Sequence, residues 1–162
     1  MIIRPATEAD LPAILELAAE RRKEYATYSP LFWRVAEDAA EQQAPFFRNQ
    51  RIQNPHALTL VAEDDQRIVG FVMATIHAAP PVYNPGGPVC SIDDFTVATP
   101  DLWRTVGEEL VRAAKKWARE RGAVLIVVVA GQQDAAKRAM LAATGANVAS
   151  EWWVQALDDE TT

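Results

Sequence analysis

The run Ala123-Val124-Leu125-Ile126-Val127-Val128-Val129 contains no polar side chain and is mostly β-branched. An alternating pattern would mark a strand with one wet face, whereas an unbroken one predicts a central strand covered on both faces. Such a strand needs helices on either side of its sheet, so the run argues for an α/β chain. It falls well short of the roughly 20 apolar residues that a membrane span needs, and no other stretch reaches that length.

The remaining residues supply the other elements. Ile2 and Ile3 begin a short strand that Pro5 closes. Thr7 has the chemistry of a helix N-cap, with Asp10 three residues on as a capping-box acid. Leu11, Ile14, Leu15 and Ala18 follow at the spacing of one apolar helical stripe. Ser29-Pro30 reads as a second helix start, leading into an aromatic-rich stretch that Pro45 breaks or kinks and Asn54-Pro55 ends. Strands at 58–63 and 67–76 flank the turn residues Asp64-Asp65-Gln66. Ala78 to Pro88, with four prolines and Gly86-Gly87, is a loop long enough to cover a site. Val89 to Val97 is a strand whose apolar character breaks at Asp93 and Asp94.

A helix with Val106, Leu110, Ala113, Ala114 and Trp117 inward stops at Gly122. Beyond the apolar run, Asp134 caps a helix with Ala136, Ala139, Met140 and Ala143 inward, ended by Gly145. A last strand is predicted over about 148–157, with Trp152 and Trp153 in the core, before an acidic tail that frays. The order β-α-α-β-β-β-α-β-α-β describes α/β architecture with a mixed sheet, α+β in its pairing, and helices on both faces. One domain spans 1–162.

Composition narrows the function classes. The chain has 162 residues, enough for one contiguous core, and a net charge of −6. Its charges are interspersed, which argues against nucleic-acid binding. An acidic surface suits a cationic substrate but equally keeps any protein soluble. Cys90 is the sole cysteine, which rules out an internal disulfide and a multi-cysteine metal site; it reads as a small core residue at a strand start. His56 and His77 lack ligand-like spacing, so no metal is predicted. The opening Met1-Ile2-Ile3-Arg4-Pro5 lacks the layout of a secretory signal, so a cytoplasmic location and no membrane partner are expected. There is no serine-centred elbow and no Walker-type glycine loop.

Three anchors carry a family resemblance. They are Ile3-Arg4-Pro5-Ala6-Thr7-Glu8-Ala9-Asp10-Leu11, the strand Ile68-Val69-Gly70-Phe71-Val72, and Ile92-Asp93-Asp94-Phe95-Thr96-Val97 followed by Val106-Gly107-Glu108-Glu109-Leu110. In this order they resemble the GNAT superfamily of N-acetyltransferases over nearly the whole chain. The resemblance implies acetyl-CoA as co-substrate, a small-molecule amine as acceptor and, by family habit, a homodimer. It also implies cofactor-binding positions at Phe95, Val97, Leu102, Trp103, Arg104, Thr105, Val106 and Gly107. Independently of any family, a loop entering a helix offers unpaired N–H groups and a favourable dipole to an anion. Trp103 to Gly107 is such an entry, with Arg104 as counter-charge to a pyrophosphate.

The chain departs from the family pattern twice. The family loop usually reads Gln/Arg-x-x-Gly-x-Gly/Ala, and aligned on Gly107 this chain has Leu102 and Thr105 at the first Gln/Arg and the middle Gly. That substitution predicts weaker or differently posed cofactor binding, since Thr resists the close approach that Gly permits. The tyrosine that many members place four residues before the last glycine is Leu141 here, which cannot donate a proton.

In the diamine-acetyltransferase branch a Glu-Asp pair of the fourth strand lies near the amine. Asp93 and Asp94 match those positions and are the candidate catalytic residues. Strand alternation sends the two to opposite faces, which favours Asp93 as base or amine-orienting anion. The resemblance places an oxyanion-binding N–H near Val97. With Leu141 in place of an acid, water or Tyr83 of the long loop is the expected later source of the thiolate's proton. The expected function is N-acetyl transfer to a primary amine in a ternary complex. The alternative, favoured by Leu102, Thr105 and Leu141, is a non-catalytic domain that senses acyl-CoA or holds a protein partner.

Overall fold

The computed structural model describes residues 1–157; the acidic tail predicted to fray, 158–162, lies outside the described residues. In chain order the elements are β1 (Ile2–Pro5), α1 (Leu11–Tyr28), α2 (Ala39–Phe46), β2 (Ala57–Asp64), β3 (Arg67–His77), β4 (Val89–Ile92), β5 (Phe95–Val97), α3 (Val106–Glu120), β6 (Leu125–Val128) and α4 (Ala135–Ala143). The strands form one sheet in the order β1-β2-β3-β4-β6, with β5 also pairing β3. All pairings are antiparallel except β4 with β6.

Side chains on the central hairpin alternate as the pleat requires. Val61, Phe71 and Met73 meet Leu11, Ile14 and Ala18 of α1 on one face. Leu60, Ala62, Val72 and Ala74 meet Leu110, Val111 and Ala114 of α3, with Met140 of α4, on the other. The predicted mixed sheet with helices on both faces is what forms. Asp65 and Gln66 close the hairpin with φ of 45° and 63°, the two positive values of a type I′ turn, which matches the twist of the flanking strands.

The first strand and helix are joined by charge. Arg4 donates to both carboxylate oxygens of Asp10 at 2.8 and 2.7 Å, and to Glu63 on β2 at 2.7 Å. Asp10 also accepts the N–H of Thr7 at 2.7 Å, as the capping-box spacing predicts. These bonds, the Arg4 guanidinium foremost, hold the Asp10 carboxyl down at about 2.

Three expectations are corrected. Ser29-Pro30 starts no helix beyond one turn, Trp33 N–H to Ser29 carbonyl at 2.8 Å, and α2 begins only at Ala39. The aromatics decide this: Trp33 packs on Tyr25 at 5.2 Å and on Phe32 at 4.7 Å between ring centroids, a cluster that a continuous helix would pull apart. Second, the apolar run forms β6 but at an edge of the sheet, with Leu125 and Val127 exposed, not as a central strand covered on both faces. Third, the last strand does not form: the segment to Leu157 has no regular structure, and Trp152 and Trp153 are 77% and 90% exposed. Strand propensity is realised only against a partner and a face to bury, and this segment has neither. At Pro45, where a break or kink is expected, α2 runs one residue further and gives way to a π-helical turn, Phe47–Ile52, that buries Phe47. Among the described residues no helix is long and apolar enough to cross a membrane.

Candidate active site

The strand predicted over Val89–Val97 is divided by a bulge at its two acids. Ser91 stands opposite Thr75 and Phe95 opposite Val72, so Ile92, Asp93 and Asp94 face only Met73 and Ala74. The Met73 N–H fixes the bulge by donating to the Asp94 carbonyl at 2.8 Å. A bulge breaks the alternation of a strand and re-aims its side chains. Asp93 and Asp94 therefore do not part to opposite faces; both line one cleft of about 370 Å³. Its other walls are Arg21, Arg22 and Tyr25 of α1, the stretch Phe32–Ala36, and Lys137 of α4.

The bulge also parts the sheet. β6 runs beside β4 as far as Ile92, whose carbonyl accepts the Val129 N–H at 3.0 Å, while β5 pairs with β3 alone. In an antiparallel ladder alternate residues exchange both main-chain bonds and those between face outward. Asp94 and Ala98 bond to β3, so Phe95 and Val97 turn their N–H and C=O groups into the gap on the β6 side. Val97, the expected oxyanion donor, thus has its main chain directed at the gap beside the acids.

Asp94 is the more enclosed acid and Asp93 the exposed one. Burial raises the Asp94 carboxyl, Asp93 raises it further, and Arg51, Lys137 and Arg22 oppose the rise. Arg22 donates to Gln43 and keeps a buried Nε without a partner; burial lowers its pKa while Asp94 raises it.

Sequence reasoning missed the most unusual residue of the site. Lys137 is 2% exposed, and its Nζ donates to the Phe95 carbonyl at 3.0 Å. The ammonium lies 5.1 Å from the centroid of Phe95 and 5.4 Å from that of Trp103. Burial and then Arg21 pull its pKa from 10.5 to about 7, against the pull of Asp94. The phase of α4 was misread: Ala139 and Ala143 are exposed, and Lys137 and Met140 are the buried positions. An alanine-rich helix shows little hydrophobic contrast, and a lysine reads as solvated. The signal that was available is the cap, since Asp134 accepts the Lys137 N–H at 3.2 Å. Asp134 also takes an ion pair from Arg21 and a bond from the Tyr25 hydroxyl at 3.1 Å. The Tyr25 oxygen in turn accepts the Gly131 N–H at 2.9 Å. This network ties α1 to α4 across the floor of the cleft.

The predicted phosphate loop is a 3-10 turn, Pro100–Arg104, that leads straight into α3. Trp103 is buried, Arg104 and Thr105 are exposed, Leu102 is half-buried, and Val106 and Gly107 are buried. No side chain caps α3, so no side chain takes up its first N–H groups. Arg104 pairs with Glu108 at 3.1 Å. The loop packs on the strand next to the acids: Trp103 meets Phe95 edge-on at 4.9 Å between ring centroids. Tyr83 on the long loop is 73% exposed, and no residue of 78–88 lines the cleft. Among the described residues no group of three or more His, Cys, Asp or Glu is placed to hold a metal ion.

The same architecture recurs in solved structures, acetyltransferases among them. A predicted acetyltransferase with acetyl-CoA from Clostridium acetobutylicum superposes with a TM-score of 0.73 at 17% identity, over 96% of each chain. The aminoglycoside antibiotic 6'-N-acetyltransferase AAC(6')-IG of Acinetobacter haemolyticus superposes with a TM-score of 0.71 at 22% identity, over 98% of this chain and 100% of that one. A mutant of the BH1408 protein of Bacillus halodurans superposes with a TM-score of 0.80 at 15% identity, over 97% and 99%. At these identities the likeness is one of fold. Sequence takes the further step: the model of the Acetyltransferase (GNAT) family matches residues 17–145, and the chain belongs to that family. No curated protein matches it in sequence.

Proposed function

We propose that this protein is an acetyl-CoA-dependent N-acetyltransferase that acts on a small primary amine held in the cleft beside Asp93 and Asp94. The observation that carries this reading is the bulge, which sets both carboxylates in one cleft next to the outward-facing main chain of Phe95 and Val97. A thioester arm fits along that edge as an added strand would, and the uncapped first turn of α3 suits the diphosphate.

In the reaction the neutral amine attacks the thioester carbonyl, the N–C bond forms and the C–S bond breaks. The Val97 N–H faces the oxygen on which negative charge develops. The exposed Asp93 orients the ammonium, which gives up its first proton to solvent water as it arrives; Asp94, enclosed and raised by burial, takes the second proton from the attacking nitrogen. Burial moves the enclosed acid toward neutrality, which suits it to act as a base at neutral pH.

Charge in the cleft narrows the acceptor. Arg22, Arg34 and Lys137 line the cleft with the two carboxylates, beside Arg21, whose charge is taken up by Asp134 and Glu24, although the whole chain is at −6. An amine that also carries an anionic group fits this balance better than a polycation. Thiol release from acetyl-CoA, followed over amino acids, polyamines and aminoglycosides, tests both parts. Turnover is expected with the zwitterions first; preference for polycations would overturn the acceptor assignment, and no turnover on any amine would overturn the enzyme.

A non-catalytic acyl-CoA-binding domain is the second reading. The observation favouring it is Leu141, half-buried in hydrocarbon where a proton donor is expected.

A further inference from the structure

We propose that Lys137 is the proton donor to the departing thiolate, in direct contact with the sulfur. This rests on the acetyltransferase reading given above. Leu141 leaves its own position without an acid, but Lys137 lies one turn earlier on the same face of α4, and it is Lys137 that lines the cleft. A lysine side chain has three protons to donate. Among the described residues its ammonium makes one hydrogen bond, to the Phe95 carbonyl at 3.0 Å, on the edge of β5 that faces the gap.

An arm lying along the outward groups of Val97 and Phe95 reaches Asp94 only by passing Lys137 Nζ. The thioester sulfur is the atom of that arm next to the acyl group, so it comes to rest against the ammonium. Burying an ammonium with a single neutral partner is costly, and hydrocarbon here would fill the space as well. The rings of Phe95 and Trp103 recover part of that cost as cation–π contacts.

The charged and titratable groups around Lys137 are Arg21 and Tyr25 on α1, Asp94 in the bulge and Asp134 at the cap of its own helix. Burial and Arg21 leave the ammonium near 7, so it gives up and regains a proton at neutral pH. In the step, the C–S bond breaks with its electron pair going to sulfur, and the proton of Nζ follows it there. The proton lost by the amine goes to Asp94. Transfer of that proton from Asp94 to Lys137 across the cleft restores both groups, and the products are the amide and the free thiol.

The test compares wild type with Lys137→Met and Lys137→Arg in two readouts. One is the pH titration of the thiol in bound CoA, followed by the carbon-13 shift of its sulfur-bearing carbon. The other is kcat against pH with an amine that wild type acetylates. Lys137→Arg holds its charge across the titration, so in that variant the bound thiol should titrate at least about one pH unit below free CoA, the effect of a cation in contact, and kcat should be lost because arginine does not release its proton. In wild type the ammonium is shed near 7, before most of the thiol, so the bound thiol should titrate above its value in the arginine variant, and kcat should fall above neutral pH. Lys137→Met should show no lowered thiol and should lose about 10²–10⁴-fold in kcat, along with that fall. A thiol in Lys137→Arg no lower than that of free CoA, or full kcat in that variant, would overturn the assignment. Should Lys137→Met not fold, the arginine variant and the wild-type pH profile decide it alone. Failure of wild type to bind CoA at all would sink the acetyltransferase reading itself, a result distinct from binding with an unshifted thiol in the arginine variant.

Discussion

A Cβ on Gly107 would lie 2.6 Å from Cε3 of Trp103, closer than any real contact, so the first turn of α3 sits directly on the indole. The same indole abuts Phe95 and lies beneath the Lys137 ammonium. Trp103 therefore mechanically joins the entry to α3 with the cleft. Gly107→Ala is expected to force one of them aside and to cost about 1–3 kcal/mol. Thermal unfolding should show a lower Tm, and acetyl-CoA affinity should fall with it. A variant with unchanged Tm would mean that Trp103 has room to move and that the two sites are not joined through it.

The Arg4–Asp10 pair makes stability depend on pH in a defined window. The Asp10 carboxyl falls from 3.8 to about 2 in the fold, so its contribution is fully present above 3.8 and is lost as pH drops through 2. Linkage puts that contribution at about 2 kcal/mol. Urea unfolding of Asp10→Asn should show this deficit at neutral pH, and the gap to wild type should close as pH is lowered toward 2. A deficit independent of pH would assign the loss to packing.

Asp94→Asn keeps the shape of the bulge, because the Met73 N–H bonds the main-chain carbonyl and not the side chain. Activity should fall by about 10²–10⁴-fold with little change in the affinity for acetyl-CoA. In wild type the acid limb of kcat should lie above the ordinary carboxylate value of 3.8, because burial raises this group, and the limb should vanish in the variant. Asp93→Asn should act mainly on the amine KM. The reverse pattern would restore Asp93 as base.

Trp153 is 90% exposed, so Trp153→Ser should change stability by no more than about 0.5 kcal/mol. Packed in a core, as its composition suggests, the same residue would cost about 3–5 kcal/mol on truncation. Chemical denaturation separates the two outcomes without ambiguity.

Local features were legible in the sequence and positional ones were not. The Thr7–Asp10 box, the alternation on β2 and β3 and the stripe of α1 depend on near neighbours, and each formed as read. The edge position of β6 was hidden, because an apolar run looks alike whether a strand covers it or not. Ser29-Pro30 carried a genuine start signal that was overridden by packing of Trp33 on Tyr25, a contact across a turn. At the site, the two acids stood out as polar residues in an apolar strand, but their shared face comes from a bulge that no residue type announces. Lys137 stayed invisible because its burial depends on Phe95, Arg21 and Asp94, residues brought together only by the fold.

The central claim is that the gap beside β5 and the uncapped first turn of α3 take up acetyl-CoA. Calorimetric titration of the protein with acetyl-CoA, against pantetheine as the ligand lacking the nucleotide and its phosphates, tests it most directly. Saturable binding that weakens at least about tenfold for pantetheine is the predicted result, a difference of about 1.4 kcal/mol. No binding of acetyl-CoA would contradict the account, for it would mean that Leu102, Thr105 and the buried Trp103 close the site.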